Sequence, residues 1–278
     1  MKVVTDLPAL RQARRRLTEP VGLVPTMGFL HQGHLSLVEA ACRDCASVAV
    51  SIFVNPIQFG PQEDLAAYPR DLPRDLDLLE KLGVDLVWTP TPEIMYPPGY
   101  QTWVSVEEIT LPLEGTSRPG HFRGVTTVVA KLFNAIRPQY AYFGQKDAQQ
   151  AAVIRRMVLD LNFPLEVVVC PTVREADGLA MSSRNTYLDP TERQAACVLY
   201  RALVKAQTEF EKGERDAEKL RQWMRQVIES EPLTKLQYVS CADVSTLQEI
   251  QGEITGQALL SMAVFIGKTR LIDNVVVG

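Results

Sequence analysis

VGLVPTMGFLHQGH, residues 21–34, is the stretch of the sequence that decides the fold class. Its first five residues are apolar and include two β-branched valines, which predicts a buried strand. A turn with two glycines follows, and Leu35 and Val38 continue the apolar pattern at helical spacing. A strand that passes through a tight turn into a helix is the repeating unit of a parallel sheet with crossover helices.

The same alternation of strands and helices continues to about residue 172. Near-continuous apolar runs such as VAVSIFV suit a sheet that is covered on both faces. Strands are predicted at residues 21–25, 48–55, 85–89, 140–144 and 165–169. Helices are predicted at residues 35–43, 72–82, 124–136 and 147–161.

The pattern changes after Pro171, where a polar loop, READGLAMSSRN, leads into two charged helical stretches at residues 191–212 and 216–230. Strand-like runs follow at residues 236–242, 259–266 and 270–277. Helices followed by sequential strands predict a smaller α+β domain rather than more parallel sheet. We therefore expect an α/β fold with a Rossmann-like parallel-sheet domain at residues 1–172 and a smaller α+β lid domain at residues 173–278.

Composition excludes several classes of protein. The chain has 278 residues, of which 46% are hydrophobic and 22% are charged, so disorder and coiled coil are not expected. Its net charge of -4 lacks the basic excess of a nucleic-acid-binding protein. No apolar run approaches the roughly 20 residues that cross a bilayer. Five scattered cysteines and an amino end without a secretory pattern predict a cytoplasmic protein, in which the Cys42 and Cys45 pair is structural rather than metal-binding or redox-active.

Two of the three histidines, His31 and His34, fall in the turn that begins the first predicted helix. The amino end of a helix carries unpaired backbone N–H groups and favours phosphate. Gly28 and Gly33 would let a nucleotide approach the backbone, and two imidazoles could donate hydrogen bonds to phosphate oxygens. The arrangement suits attack on an α-phosphate.

Two other interpretations of these motifs are weaker. His31 and His34 could chelate a metal, but no H-E-x-x-H pattern or third ligand accompanies them. Gly267, Lys268 and Thr269 end like a Walker A motif, but Met262 occupies the position of the leading glycine, so we expect a strand turn there.

His121, in RPGHFRG, is equally compatible with a packed residue and with a functional one.

Further polar residues follow other predicted strands. Asn55 and Gln58 lie at and just after the end of the strand predicted at residues 48–55, where parallel sheets bind ligands. The Gln58 amide suits hydroxyl and carboxyl oxygens. After residues 140–144 come Lys146, suited to phosphate, and Asp147, suited to ribose hydroxyls or to capping a helix. Gln150 could share a helical face with Asp147.

Taken together, the motifs resemble those of the pantothenate synthetase (pantoate–β-alanine ligase) family, within the H-x-G-H nucleotidyltransferase superfamily. The resemblance extends through nearly the whole chain. The motifs that carry it are PTMGFLHQGH, SIFVNPIQFGPQEDLAAYPRDL, LEGTSRPGHFRGVTTVVAKLFN, FGQKDAQQ, DGLAMSSRN and GKTRLIDN.

The resemblance implies an ATP-dependent ligase that joins pantoate to β-alanine, with Mg²⁺ and a homodimeric assembly. It implies catalytic roles for five residues, with His34 as proton donor: His34, His31, Lys146, Arg184 and Ser182. It implies that ATP is bound by Met27, Gly28, His31, His34, Gly144, Lys146, Asp147, Val173, Met181, Ser182, Ser183 and Arg184. It implies that pantoate and β-alanine are bound by Gln58, Gln150 and Asn55. Asp75 is a weaker candidate for a magnesium ligand.

The alternatives at this stage are another nucleotidyltransferase of the same superfamily and a regulatory protein that binds nucleotide without turnover. A metal hydrolase is a further alternative. Neither nucleic acid nor a membrane is an expected partner.

Overall fold

A computed structural model describes residues 1–61 and 63–278 of the chain. The chain forms two compact units. The first comprises Met1–Gln145 and Gln150–Pro171, and the second comprises Lys146–Gln149 and Thr172–Gly278. The short segment Lys146–Gln149 therefore groups with the second unit, although the first unit continues after it in the sequence.

The first unit contains a six-stranded parallel sheet. Its strands are β1 (Lys2–Val4), β2 (Val21–Thr26), β3 (Ser47–Ile52), β4 (Leu86–Trp88), β5 (Tyr140–Gly144) and β6 (Glu166–Cys170). They lie in the order β1-β4-β3-β2-β5-β6, with parallel pairing throughout. The chain proceeds from β2 to β3 and β4 on one side, then returns to form β5 on the other side of β2. Ligands of such sheets bind at the carboxyl ends of the strands beside this reversal.

Helices connect these strands. They are α1 (Leu7–Arg14), α2 (Gln32–Asp44), α3 (Leu72–Lys81), the short α4 (Pro92–Met95) and α5 (Glu114–Ser117), α6 (His121–Ile136) and α7 (Ala148–Asp160). The first two residues of α7 group with the second unit. One-turn 3₁₀ segments occur at Pro56–Gln58, Glu108–Thr110 and Gln145–Asp147.

The sheet is covered on both faces, as its apolar strands predict. Leu23 of β2 packs in a cluster with residues of α1 and α6, whereas the next residue, Val24, packs in another cluster with residues of α2 and α3. Because successive side chains of a strand point to opposite faces, each face of β2 is buried against its own pair of helices.

The second unit is built from helices and an antiparallel sheet. Its elements are α8 (Pro190–Ala195), α9 (Val198–Glu211), α10 (Ala217–Glu229), β7 (Thr234–Asp243), β8 (Ala258–Ile266) and β9 (Thr269–Val277). The strands lie in the order β7-β8-β9, and Leu203 of α9, Met224 of α10 and Leu260 of β8 share one buried cluster. Gly267 lies in the tight turn between β8 and β9 with φ +55°, so the GKT triplet is a strand turn as expected.

The predicted fold class is confirmed, and some details differ from the sequence-based expectation. β1 and α1 are too short to give a clear pattern, and neither was expected. The single helix expected at residues 191–212 is two helices, α8 and α9. Ala196 and Cys197 separate them, although the backbone angles of these two residues remain close to helical. Among the described residues, no helix combines the length and the apolar character needed to cross a membrane.

Cys42 lies in the last turns of α2, and Cys45 follows the end of that helix. Both thiols are free. Burial raises the pKa of each thiol, whereas a redox or metal-binding C-x-x-C needs a thiolate and a lowered pKa. The structure therefore agrees with a structural role for this pair.

Candidate active site

The turn between β2 and α2 requires a glycine at its start. Gly28 has φ +81° and Phe29 has φ +51°, so two consecutive residues adopt the left-handed region. A Cβ added to Gly28 would lie 3.0 Å from Cγ2 of Ile52 and 3.1 Å from Oδ2 of Asp75. Any side chain at position 28 would therefore meet both an unfavourable backbone conformation and close neighbours.

Asp75, in the first turn of α3, holds this turn in place. Its Oδ2 accepts a 2.7 Å hydrogen bond from the Phe29 N–H, and its Oδ1 accepts a 2.8 Å bond from the Leu30 N–H. The side chain is only 1% exposed. Burial raises the pKa of the Asp75 carboxyl, while the two backbone hydrogen bonds and Arg74 act in the opposite direction. One buried carboxylate thus fixes the path of the left-handed turn.

This geometry favours a structural role for Asp75 over the predicted role as a magnesium ligand. Both of its oxygens already accept backbone hydrogen bonds, and the carboxylate is not in appreciable contact with solvent. Nor do residues 1–61 and 63–278 contain a group of three or more His, Cys, Asp and Glu side chains placed to hold a metal ion. We therefore describe Asp75 as a residue that positions the turn, and its role as a magnesium ligand stays a prediction.

The backbone N–H groups of the turn are also used differently from the sequence-based expectation. We expected unpaired N–H groups at this helix end to bind phosphate. Instead, the N–H of Gly28 donates to Oγ1 of Thr26 at 3.2 Å, those of Phe29 and Leu30 donate to Asp75, and that of Gly33 donates to Nδ1 of His31 at 3.2 Å. Because these donors are engaged within the chain, the side chains of the turn are the groups left to test as phosphate donors.

His31 and His34 cap the beginning of α2 with one nitrogen of each ring. Nδ1 of His31 accepts from the Gly33 N–H, and Nδ1 of His34 lies 3.4 Å from the His31 N–H that donates to it. The ring centroids are 4.0 Å apart, with 35° between the ring planes. A neutral imidazole that accepts at Nδ1 carries its proton on Nε2. The capping contacts therefore select the tautomer in which both rings can donate a hydrogen bond through Nε2.

Gln58 lies beside this turn, in the 3₁₀ segment that follows β3. Its side-chain Nε2 is 3.2 Å from Sδ of Met27, the first residue after β2. Residues at the carboxyl ends of two neighbouring parallel strands are thus in direct contact, as the sequence analysis expects for a ligand site.

Asn55 orients Gln58 and is itself fully engaged. Its Nδ2 donates to Oε1 of Gln58 at 3.1 Å and to the Gly124 carbonyl at 3.2 Å, and its Oδ1 accepts from the Tyr96 hydroxyl at 2.9 Å. Only 1% of the residue is exposed. These contacts fit Asn55 as a support for the Gln58 amide better than as the direct substrate ligand that we predicted. Tyr96 was not expected to take part, because nothing local in the sequence links it to Asn55.

Two further predicted residues of the first unit follow from β5. Gly144 is the last residue of that strand, which pairs with β2 on the side opposite β3. Gln150 is half-buried in the first turn of α7. Gly144 thus ends β5, and Gln150 belongs to the helix that follows it. Both lie on the chain that leaves the carboxyl end of β5, next to the point where the strand order reverses.

Lys146 and Asp147 belong to the second unit. The ammonium group of Lys146 lies 3.8 Å from Oδ1 of Asp147, and the Lys146 carbonyl accepts a 2.8 Å hydrogen bond from Nδ2 of Asn274 in β9. The side chains of Lys146 and Asp147 are 20% and 48% exposed. The bond from Asn274 shows why this short segment groups with the second unit.

The remaining predicted residues form a loop of the second unit. The Met181 N–H donates to the Val173 carbonyl at 3.0 Å, which brings these two residues together. Ser182 caps the short 3₁₀ helix Ser183–Tyr187, its hydroxyl accepting from the Arg184 N–H at 3.3 Å. Ser183 is buried. The sequence predicts only a polar loop here, and the structure shows that backbone hydrogen bonds order it.

The fold agrees with comparisons to known proteins. A family model described as pantoate-beta-alanine ligase matches residues 2–276 of the chain. The chain belongs to the pantoate-beta-alanine ligase family. The alternative families considered from the sequence are not favoured by this match.

Members of the family resemble the chain along its whole length. A pantothenate synthetase of Roseiflexus sp. (strain RS-1) is 60% identical over 276 residues, covering 99% of each chain. A crystal structure of pantothenate synthetase from Thermus thermophilus has a TM-score of 0.94 at 48% identity and covers 99% of each chain. A pantoate-beta-alanine ligase from Francisella tularensis, described as complexed with Beta-gamma ATP and beta-alanine, has a TM-score of 0.80 at 35% identity, with 99% of this chain and 97% of that chain covered.

Proposed function

We propose that the chain condenses (R)-pantoate with β-alanine, using ATP and giving pantothenate, AMP and pyrophosphate through a pantoyl-adenylate. Membership of the pantoate-beta-alanine ligase family supports this reaction. The observation that carries it at the level of the site is the contact between Met27 and Gln58, because it joins the histidine turn to an amide suited to a hydroxy acid.

The first step transfers the adenylyl group to pantoate. A carboxylate oxygen of pantoate attacks the α-phosphorus of ATP, an O–P bond forms, and the bond to pyrophosphate breaks. Nε2–H groups of His31 and His34 donate to phosphate oxygens whose charge grows in the transition state, with His34 as the proton donor. Fixed donors of this kind accelerate a reaction because they need no reorganisation as the charge develops.

The second step makes the amide. The neutral amine of β-alanine attacks the activated carbonyl, a C–N bond forms, AMP leaves, and the amine loses a proton. Gln58 and Gln150 hold the pantoate moiety, and Asn55 supports Gln58. Since the acyl group is already activated, positioning of the two reactants contributes more than any single acid or base.

Cationic and hydroxyl groups complete the proposed nucleotide site. We assign Lys146, Arg184 and Ser182 to the phosphates, and Asp147 to the ribose. Gly144, Val173, Met181 and Ser183 complete the set of residues proposed to contact ATP. Mg²⁺ is proposed to arrive with the nucleotide, because this ion is usually bound by substrate phosphates and one or two carboxylates. Its role would be to offset phosphate charge.

Pyrophosphate exchange tests this function. With ATP, pantoate and labelled pyrophosphate, but without β-alanine, we expect label to enter ATP, since adenylate formation is reversible. Adding β-alanine should release AMP and pantothenate in equal amounts. Exchange that needs no pantoate, or a product that retains the nucleotide, would contradict the proposal and favour another nucleotidyltransferase. A complete lack of pyrophosphate release would favour a regulatory nucleotide-binding protein.

Two properties implied by the family resemblance stay predictions. A homodimer would appear in light scattering at twice the 31.0 kDa mass of the chain. A cytoplasmic location would appear in cell fractionation.

A further inference from the structure

The beginning of α6 supports the backbone of Gln58. Nδ1 of His121, the first residue of α6, lies 2.9 Å from the Gln58 carbonyl oxygen. One turn later, a Cβ added to Gly124 would lie 2.8 Å from Cα of Gln58 and 2.8 Å from the Ile57 carbonyl oxygen. His121 and Gly124 belong to the RPGHFRG motif, to which the proposed reaction gives no role. Both contact the same 3₁₀ segment, Pro56–Gln58.

The partners of His121 determine its tautomer. A carbonyl oxygen can only accept, so Nδ1 of His121 must carry the proton and donate it to Gln58. Nε2 then holds a lone pair, and Nη1 of Arg118 lies 3.1 Å from it as a donor. Arg118 is oriented in turn by Glu63, whose two carboxylate oxygens each accept a 2.7 Å hydrogen bond from the guanidinium.

The surroundings of His121 keep the ring neutral. The residue is 8% exposed. Burial, followed by the positive charge of Arg118, lowers its pKa to about 4, although the hydrogen bond to the Gln58 carbonyl, Glu63 and Glu114 act in the opposite direction. At neutral pH the ring is therefore a neutral donor to Gln58 and an acceptor from Arg118.

We propose that His121 is a positioning residue for substrate binding, which fixes the main chain from which the Gln58 side chain reaches the pantoate moiety. This inference rests on the proposed function, in which Gln58 binds pantoate. Asn55 sets the Gln58 amide, and His121 sets the backbone that carries it. Loss of the His121 bond weakens pantoate binding and leaves ATP binding unchanged.

Two substitutions separate this role from simple packing. The Nδ2 of asparagine can occupy the place of the histidine Nδ1, whereas the Nε2 of glutamine corresponds to the histidine Nε2. H121N therefore keeps a donor for the Gln58 carbonyl, and H121Q removes it. We expect H121Q to raise the KM for pantoate about tenfold or more, because an unpaired buried carbonyl costs free energy of that size. The KM of H121N for pantoate should stay within about threefold of the wild-type value. The KM for ATP should stay within about twofold in both variants.

Equal effects of H121N and H121Q on the KM for pantoate, or equal effects of H121Q on pantoate and ATP, would overturn the inference. The Q58A variant distinguishes this failure from failure of the proposed function. If Q58A leaves the KM for pantoate unchanged, the assignment of Gln58 in the proposed function is wrong. If Q58A raises that KM and H121Q does not, only the role of His121 is wrong.

A measurement on the unaltered protein covers the case in which a variant does not fold. The chain has three histidines, so ¹⁵N NMR of histidine-labelled protein resolves few ring signals. We expect His121 to carry its proton on Nδ1 and not to titrate near pH 6.5. The capping contacts of His31 and His34 instead place the proton of each neutral ring on Nε2. A His121 ring protonated on Nε2 when neutral would overturn the inference without any substitution.

Discussion

At the scale of single residues, His31 and His34 divide two tasks between the nitrogens of each ring. Nδ1 accepts a backbone hydrogen bond that begins α2, and the proton consequently resides on Nε2. The same contact that shapes the helix end thus prepares a donor for a phosphate oxygen. In both His31 and His34, one side chain therefore serves the fold through Nδ1 and the proposed chemistry through Nε2.

Replacement of His34 tests this assignment. We expect His34→Ala to lower the rate of adenylate formation by about two to four orders of magnitude, the range for losing a main partner of transition-state charge, and Lys146→Ala to act similarly. Single-turnover release of pyrophosphate measures the step directly. Glu39→Gln, at an exposed position of α2, and Lys212→Ala, at the exposed end of α9, are matched controls that should react at the wild-type rate. Near-normal adenylate formation in either active-site variant would remove that residue from the proposed mechanism.

At the scale of elements, α3 supports the turn between β2 and α2. Asp75 reaches the turn from 45 and 46 residues away in the sequence and takes the two N–H groups that a local interpretation assigns to phosphate. This long-range contact explains why the turn can hold two successive left-handed residues.

Asp75→Asn should weaken both the fold and ATP binding. An amide can accept from only one of the two N–H groups and places its own donor against the other, so we expect a loss of about 1 to 3 kcal/mol in stability. We also expect the KM for ATP to increase by a larger factor over the wild type than the KM for pantoate, because the histidine turn loses its support. Denaturant unfolding and steady-state kinetics measure the two effects. Asp77→Asn, at an exposed position of the same helix paired with Lys81, should change neither. An Asp75→Asn protein with wild-type stability would contradict this role of the carboxylate.

Local pattern predicts the elements of the sheet and the residues at its carboxyl edge. It places β5 at its observed bounds and β2, β3, β4 and β6 within a few residues. It starts α2 and α6 three residues late, because histidine, glycine and other polar residues interrupt the apolar spacing in the first turns of both. It misses the partners of Asn55 and Asp75, because those contacts join residues that only the folded chain brings together. Local pattern thus predicts the elements and the residues at their ends, whereas the atoms that those residues contact depend on the folded chain.

At the scale of the whole molecule, His121 makes stability depend on pH. Its pKa is lowered from 6.5 to about 4 in the folded chain, so the unfolded chain binds the proton first as the pH falls. The contribution of His121 to stability is complete above about pH 6.5 and is lost as the pH falls towards 4. The loss by pH 4.5 amounts to about 2 to 3 kcal/mol.

Unfolding measured from pH 7.5 to pH 4.5 checks this expectation. His121→Asn has no titrating ring at this position, so its free energy of unfolding should fall less steeply with acid than that of the wild type. Parallel curves for the two proteins would mean that His121 does not carry the lowered pKa.

The grouping of Lys146–Gln149 with the second unit affects how the chain can be dissected. A fragment that stops at Pro171 retains Lys146 but loses Asn274, whose side chain donates to the Lys146 carbonyl. A fragment that starts at Thr172 retains Asn274 and lacks its acceptor. No single cut of the polypeptide therefore yields both units intact. Expression of either half alone, or splitting of the gene between the units, would separate the Lys146 carbonyl from Asn274.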